Sequence, residues 1–304
     1  MKKDLKILVA TDYSDTAANV SKYAIQFAAD TGAELFFLHV FDSSHKYPIE
    51  FSTLEKFDNV PVEFEMRELI QYTKNIVSSL GSNFKKIKIN HIVREEHIGK
   101  TICEEALYVN SDIIFIGTHG ETALHQVFFG SHTWDVINQA KLPVLAIPKE
   151  AVYNGVHHFM LATEYRIGEL PILQLLLKWV KFFKADLKLF HVTNDVFSEG
   201  FEIELLNKFE NDIQKNLPNE TVTIQLIYNN DLVDGINLCC DKSKSNWLVM
   251  CPEKSHLLEK VFGSLSSTTK EMSFHTHVPL LTIPDYDSPS NLKFWDKMKK
   301  EFAL

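Results

Sequence analysis

Gly117-Thr118-His119-Gly120 is followed, after nine residues, by Gly130-Ser131-His132-Thr133, a spacing of glycines and hydroxyls suited to holding phosphate. Glycine lets a backbone approach a ligand closely and pass through positive φ. A Gly-Ser pair that opens a helix offers free N–H groups and the positive end of the helix dipole. One such glycine is ordinarily a turn residue. The joint pattern carries more: with 11 Gly in 304 residues, Gly-x2-Gly-x9-Gly-Ser/Thr arises by chance about 0.002 times per chain, so the loop reads as a cradle. It lacks the parts of a phosphoryl-transfer site. A P-loop has Gly-x4-Gly-Lys-Ser/Thr, whose Lys and metal-holding hydroxyl neutralise the β/γ charge. No Lys lies between Gly117 and Thr133, and no carboxylate there is placed as a clear base for water. The loop reads as a binder with at most slow hydrolysis.

The elements around it alternate in type. Ile7–Ala10 is a short apolar strand, after which Val20, Tyr23, Ala24, Phe27 and Ala28 recur at helical spacing until Gly32. A strand over Leu35–Val40 follows, then a helical stretch with Met66, Leu69, Ile76 and Leu80 on one face, ending at Gly81. Next come a strand at Ile87–Val93, a helix carrying Ile98, Ile102 and Ala106, and a strand at Ile113–Ile116 that delivers the glycine loop. A helix around Val136–Ala140 and a strand at Val144–Ile147 close the series. Strands apolar on both faces, alternating with helices, indicate a doubly wound α/β domain with a parallel sheet.

The series then restarts. Ala162-Thr163-Glu164-Tyr165 answers Ala10-Thr11-Asp12-Tyr13, and His191-Val192 answers His39-Val40, both 152 positions on (162 − 10 and 191 − 39). Later, Phe262-Gly263-Ser264 answers Phe129-Gly130-Ser131, and Val278-Pro279-Leu280-Leu281-Thr282-Ile283-Pro284 answers Leu142-Pro143-Val144-Leu145-Ala146-Ile147-Pro148. Ordered matches at both ends mean duplication. We divide the chain into domains at 1–150 and 151–285, with a tail at 286–304 that carries Trp295, Met298 and Phe302 at helical spacing. Val144–Ile147 and Leu280–Ile283 are last strands and would be exposed apolar edges if unpaired.

Through this glycine signature the chain resembles the universal stress protein family in its tandem-domain form, over roughly residues 4–285. Gly117-x2-Gly120-x9-Gly130-Ser131 matches that family's ATP-binding signature without a gap, Asp12 ends the first strand and His39-Val40 ends the second. The resemblance implies two five-stranded parallel sheets in order 3-2-1-4-5, arranged as an intrachain pseudo-dimer whose last strands pair antiparallel. It implies ATP, with or without Mg²⁺, across the carboxyl ends of strands 1 and 4, as expected at a topological switch point. Ala10, Thr11 and Asp12 would lie beside adenine and ribose, and Val40 would hold the base by its backbone. Ile116, Gly117, His119 and Gly120 would surround ribose and α-phosphate, and Gly130, Ser131, His132 and Thr133 would take the β- and γ-phosphates. Plainer roles stand beside these. Asp12 before Ser14 is placed to cap the first helix, His39 to bond within the sheet, and His119 and His132 to be solvated loop residues.

The second copy departs from the pattern. Met250-Cys251-Pro252-Glu253-Lys254 stands where the early glycines should be, with Cys251 in place of the first. Proline removes a donor, Glu253 repels phosphate, and Glu164 replaces Asp12. We expect this copy not to bind ATP. Net charge of −9 without a Lys/Arg-rich run argues against nucleic acid. No apolar run approaches a membrane span, and Cys103, Cys239, Cys240 and Cys251 lack metal-ligand spacing and suit buried packing in a reducing cytoplasm. His97-Ile98-Gly99-Lys100 is near an adenylyl-transfer signature but follows the third strand instead of the first. The expectation is a cytoplasmic ATP-binding stress protein, nucleotide-sensing in its first domain and structural or regulatory in its second. A slow ATPase or nucleotide-dependent phosphotransferase, and an unliganded protein-interaction module, are the rival readings; homodimerisation and an unknown protein partner stay open.

Overall fold

The computed structural model describes residues 5–41, 60–118, 131–194, 199–220, 222–251, 278–284, 286 and 291–302. In chain order the first half gives β1 (Lys6–Ala10), α1 (Asp15–Thr31), β2 (Glu34–Phe41), α2 (Val60–Leu80), β3 (Ile89–Glu95), α3 (Ile98–Tyr108), β4 (Ile113–Gly117), α4 (Ser131–Gln139) and β5 (Val144–Ile147). The second gives β6 (His158–Ala162), α5 (Leu170–Phe183), β7 (Asp186–Thr193), α6 (Glu199–Asn216), β8 (Ile224–Tyr228), α7 (Leu232–Ser243), β9 (Trp247–Met250) and β10 (Leu280–Thr282), before a last helix, α8 (Leu292–Phe302). The third strand starts later than its apolar pattern suggests. A 3-10 turn at Ser82–Lys86 intervenes, and Ile87 is its cap, with its N–H bonded to the Phe84 carbonyl. The last strand likewise stops at Thr282, although the Ile283 N–H still reaches the Met250 carbonyl at 3.2 Å.

Among the described residues, ten strands form one sheet in the order β3-β2-β1-β4-β5-β10-β9-β6-β7-β8. Each half is parallel in the order 3-2-1-4-5 by position, and the halves meet where β10 runs antiparallel to β5, Leu280 facing Ala146 and Thr282 facing Val144. The last strands therefore cover each other's edges. Right-handed crossovers leave β1 and β4 in opposite directions, which places their helices on opposite faces and opens a crevice at their carboxyl ends. Ile7, Leu8, Val9, Phe115, Leu145, Phe159, Leu248 and Leu281 are fully buried along the sheet, the two-sided burial that parallel strands need. No helix among the described residues is long and apolar enough to cross a membrane.

Side chains also cross the seam. Trp247 of β9 stacks on Phe27 of α1 with centroids 5.8 Å apart, and its indole N–H donates to the Tyr23 hydroxyl at 2.8 Å. Asn19 of α1 donates to the carbonyls of Pro148 and Ala151, which fixes the connection between the halves. At the other end, Trp295 of α8 donates to the Pro284 carbonyl, and Lys297 pairs with Asp112 just before β4, in the opposite half. All four cysteines are free and buried.

Local chemistry sets the helix ends. Ser14 caps α1 by accepting the Ala17 N–H, and Gly32 ends it at φ 72°, a left-handed stop that glycine adopts at no steric cost. In the second half Lys184 stands at that place with φ 53° and an exposed side chain. Glycines serve close approach elsewhere. A Cβ on Gly99 would come within 2.9 Å of the Asp135 Cβ, and one on Gly235 within 2.6 Å of Val192 Cγ1, so the glycine after His97 packs α3 against α4.

Two outcomes follow from these features. Lys184→Gly should raise the urea midpoint, because a left-handed side-chain residue costs about 1–2 kcal/mol and the gain is partly offset by glycine's chain entropy. Trp247→Phe should lower stability by about 2–3 kcal/mol, since the Tyr23 hydroxyl loses its donor and the indole leaves a gap at the seam. Equilibrium urea unfolding of the full chain measures both.

Candidate functional site

The carboxyl end of β1 is held from two sides. Beyond Ala10, the Thr11 N–H still bonds the Leu38 carbonyl of β2 at 2.9 Å, and the Thr11 carbonyl accepts from His39 Nδ1 at 2.9 Å. A carbonyl only accepts, so Nδ1 carries the proton. The chain then turns through Tyr13 at φ 66°, a costly conformation for an aromatic residue. Tyr13 is held there by its N–H bond to Thr11 Oγ1 and by its ring, which lies on the His39 imidazole at 4.3 Å between centroids. Behind His39 stands the buried carboxylate of Glu65 on α2, with Oε2 3.4 Å from Nε2.

This shelf presents Asp12 to solvent. Its Oδ1 accepts the Ser14 N–H at 3.1 Å, so Asp12 shapes the turn while Ser14 is the helix cap. Val40 is buried at the end of β2. Beneath the loop, burial raises the Tyr72 phenol pKa; the hydrogen bonds of its hydroxyl to Ser21 and Thr11 oppose that, and the negative charge of Asp12 adds to it.

Across the crevice, Ile116 and Gly117 end β4, buried, and the Thr118 N–H bonds the Ile147 carbonyl of β5 at 3.2 Å. α4 begins at Ser131, and Thr133 Oγ1 in its first turn donates to the Gly117 carbonyl at 2.7 Å. That bond docks the start of α4 on the end of β4. The Thr133 hydroxyl proton is thereby committed, and its contribution to an anion is its backbone N–H, with those of Ser131 and His132, the first amides of a helix. Ser131 and His132 have exposed side chains. The structure brings Ala10, Thr11, Asp12, Val40, Ile116, Gly117, Ser131, His132 and Thr133 to one edge of the half-sheet. His119, Gly120 and Gly130 lie outside the described residues. Glu65 and Tyr13 were missed by sequence reasoning; the Tyr at positions 13 and 165 of the two copies was the available signal.

The second half repeats the shelf. Tyr165 turns at φ 58°, His191 Nδ1 bonds the Thr163 carbonyl at 2.7 Å, and Glu202 on α6 lies 3.6 Å from His191 Nε2. Its crevice is otherwise lined. Arg166 Nε lies 3.5 Å from Glu164 Oε2 and 3.3 Å from Glu169 Oε1. Burial opposes the Arg166 cation, but the carboxylates of Glu169 and Glu164 outweigh it and raise its pKa. Cys251, at the position of Gly117, is buried. Pro252, Glu253, Lys254, Gly263 and Ser264 fall outside the described residues.

Comparison with known proteins agrees with this geometry. Residues 5–148 match the model of the universal stress protein family. Two universal stress proteins of Methanocaldococcus jannaschii are similar: one is 31% identical over 159 residues, spanning 48% of this chain and 95% of its own. The other is 28% identical over 144 residues, spanning 47% of this chain and 82% of its own. Over nearly the whole length, the fold matches a universal stress protein from Archaeoglobus fulgidus, with TM-score 0.58, 16% identity and coverage of 93% of this chain and 97% of that one. It also matches one described as a putative universal stress protein from Pseudomonas aeruginosa, with TM-score 0.56, 13% identity and coverage of 97% of both chains. This chain belongs to the universal stress protein family.

Proposed function

We propose that the first half binds one ATP, with or without Mg²⁺, and that the second half is a structural partner without a nucleotide. The observation that carries this reading is the docking of α4 on β4 through Thr133 and Gly117, opposite the Thr11–Asp12 turn. It points the first amides of a helix into a switch-point crevice, the arrangement that suits a phosphate chain. The spacing Gly117-x2-Gly120-x9-Gly130-Ser131 supports it. Ala10, Thr11, Asp12 and Val40 would take the nucleoside, and Ile116, Gly117, His119 and Gly120 the ribose and first phosphate. Gly130, Ser131, His132 and Thr133 would take the outer phosphates. Free cysteines support a cytoplasmic setting.

Binding without rapid turnover is the expected activity, because the loop holds no Lys to stabilise a transferring phosphoryl group. In the second half Glu164, at the place of Asp12, lies 3.5 Å from Arg166, which also pairs with Glu169 at 3.3 Å.

Titration calorimetry with ATP, ADP, AMP and cyclic AMP should give one site per chain with ATP bound most tightly; no heat with any of them would sink the proposal. Gly130→Val should weaken ATP at least tenfold, since a β-branched side chain would take the space proposed for phosphate. ADP release with Mg²⁺ should stay near the protein-free control, and sustained turnover would favour the slow ATPase instead.

A further inference from the structure

The second crevice is lined by groups that recognise anions, and the chain supplies the anion. Glu169 stands 152 positions after Ala17 (169 − 17), at the start of α5, with its side chain 2% exposed. Three donors of different kinds converge on its carboxylate. The Thr163 hydroxyl donates to Oε2 at 2.5 Å, the Glu164 N–H to Oε1 at 3.1 Å, and Arg166 Nε to Oε1 at 3.3 Å. Thr163 and Glu164 follow β6 as Thr11 and Asp12 follow β1.

We propose that the crevice of the second half is a carboxylate-binding site whose occupant is the chain's own Glu169 side chain. A hydroxyl, an amide and a guanidinium around one carboxylate are the set that selects such a group, and bonds to a charged acceptor are the strong ones. Burial raises the Glu169 carboxyl pKa, and the bonds from Thr163, the Glu164 N–H and Arg166 offset that only in part. A ligand for this crevice must therefore displace an internal carboxylate already paired with Arg166. The site stands independently of nucleotide binding in the first half.

Removing the occupant should leave a vacancy that a small carboxylate refills. The full-length chain carrying Glu169→Ala, the chain carrying Glu169→Gln and the unaltered chain are melted in sodium acetate and in sodium chloride of equal ionic strength. In chloride the alanine variant should lose about 6–12 °C of Tm, because the buried Thr163 hydroxyl and the Glu164 N–H lose their acceptor and Arg166 loses one of its carboxylates. Acetate should return at least half of that loss. It should give the other two chains nothing beyond chloride, since Glu or Gln fills the space. The proposal is overturned if the alanine variant melts with the unaltered chain in chloride, if acetate returns less than half of its loss, or if acetate raises all three alike. If the alanine variant does not fold in chloride, its recovery from urea is compared in the two salts. Recovery in acetate alone supports the site, and equal recovery or none in either refutes it. ATP titration of the unaltered chain is read separately: its failure removes the nucleotide reading and leaves the acetate result standing.

Discussion

The antiparallel pairing of β5 with β10 is the contact on which the molecule depends. Each half alone would end in an apolar strand with one row of unpaired backbone groups, a template for aggregation. By facing each other, Val144–Ile147 and Leu280–Thr282 satisfy both edges and merge two sheets into one of ten strands. The seam is then reinforced out of register with the symmetry. Trp247 from one side meets Tyr23 and Phe27 from the other, while Lys297 of the last helix returns to Asp112. A duplicated chain has thus acquired contacts that a symmetric pair of identical domains would have to make twice or not at all.

Duplication has kept some constraints and released others. The tyrosine in left-handed conformation, the histidine that holds the preceding carbonyl and the carboxylate behind it recur in both copies. They build the turn itself, which both halves need whatever they bind. What differs lies around the crevice: Gly117 has become Cys251, Asp12 has become Glu164, and Ala17 has become Glu169. The scaffold is shared and the chemistry at its edge is not.

Much of this was legible in the sequence because parallel strands must be apolar on both faces and helices between them on one. Val144–Ile147 emerges with its expected bounds, whereas Ile87 was lost to a 3-10 turn whose i→i+3 bond leaves no mark in an apolar pattern. Capping of α1 was the plainer role held open for Asp12, and Ser14 makes that bond instead, since two candidates so close are separated only by backbone direction. Glu65 was not legible as a site residue. It meets His39 only because α2 crosses β2, and nothing in local spacing reports a contact between residues 39 and 65. Glu169 was hidden for the same reason, since its partners are set by a turn, not by a periodicity.

The seam also has a consequence in time. Val144 and Thr282, which face each other in it, are 138 residues apart in the chain. At a synthesis rate of about 5–20 residues per second, the first half emerges about 7–28 s before the strand that covers its edge. Throughout that interval a folded nascent domain presents an apolar β5 to the surrounding medium, where another nascent copy offers the same edge. The partner strand that covers β5 is therefore the last one made, and until it emerges β5 has no strand of its own chain on that edge.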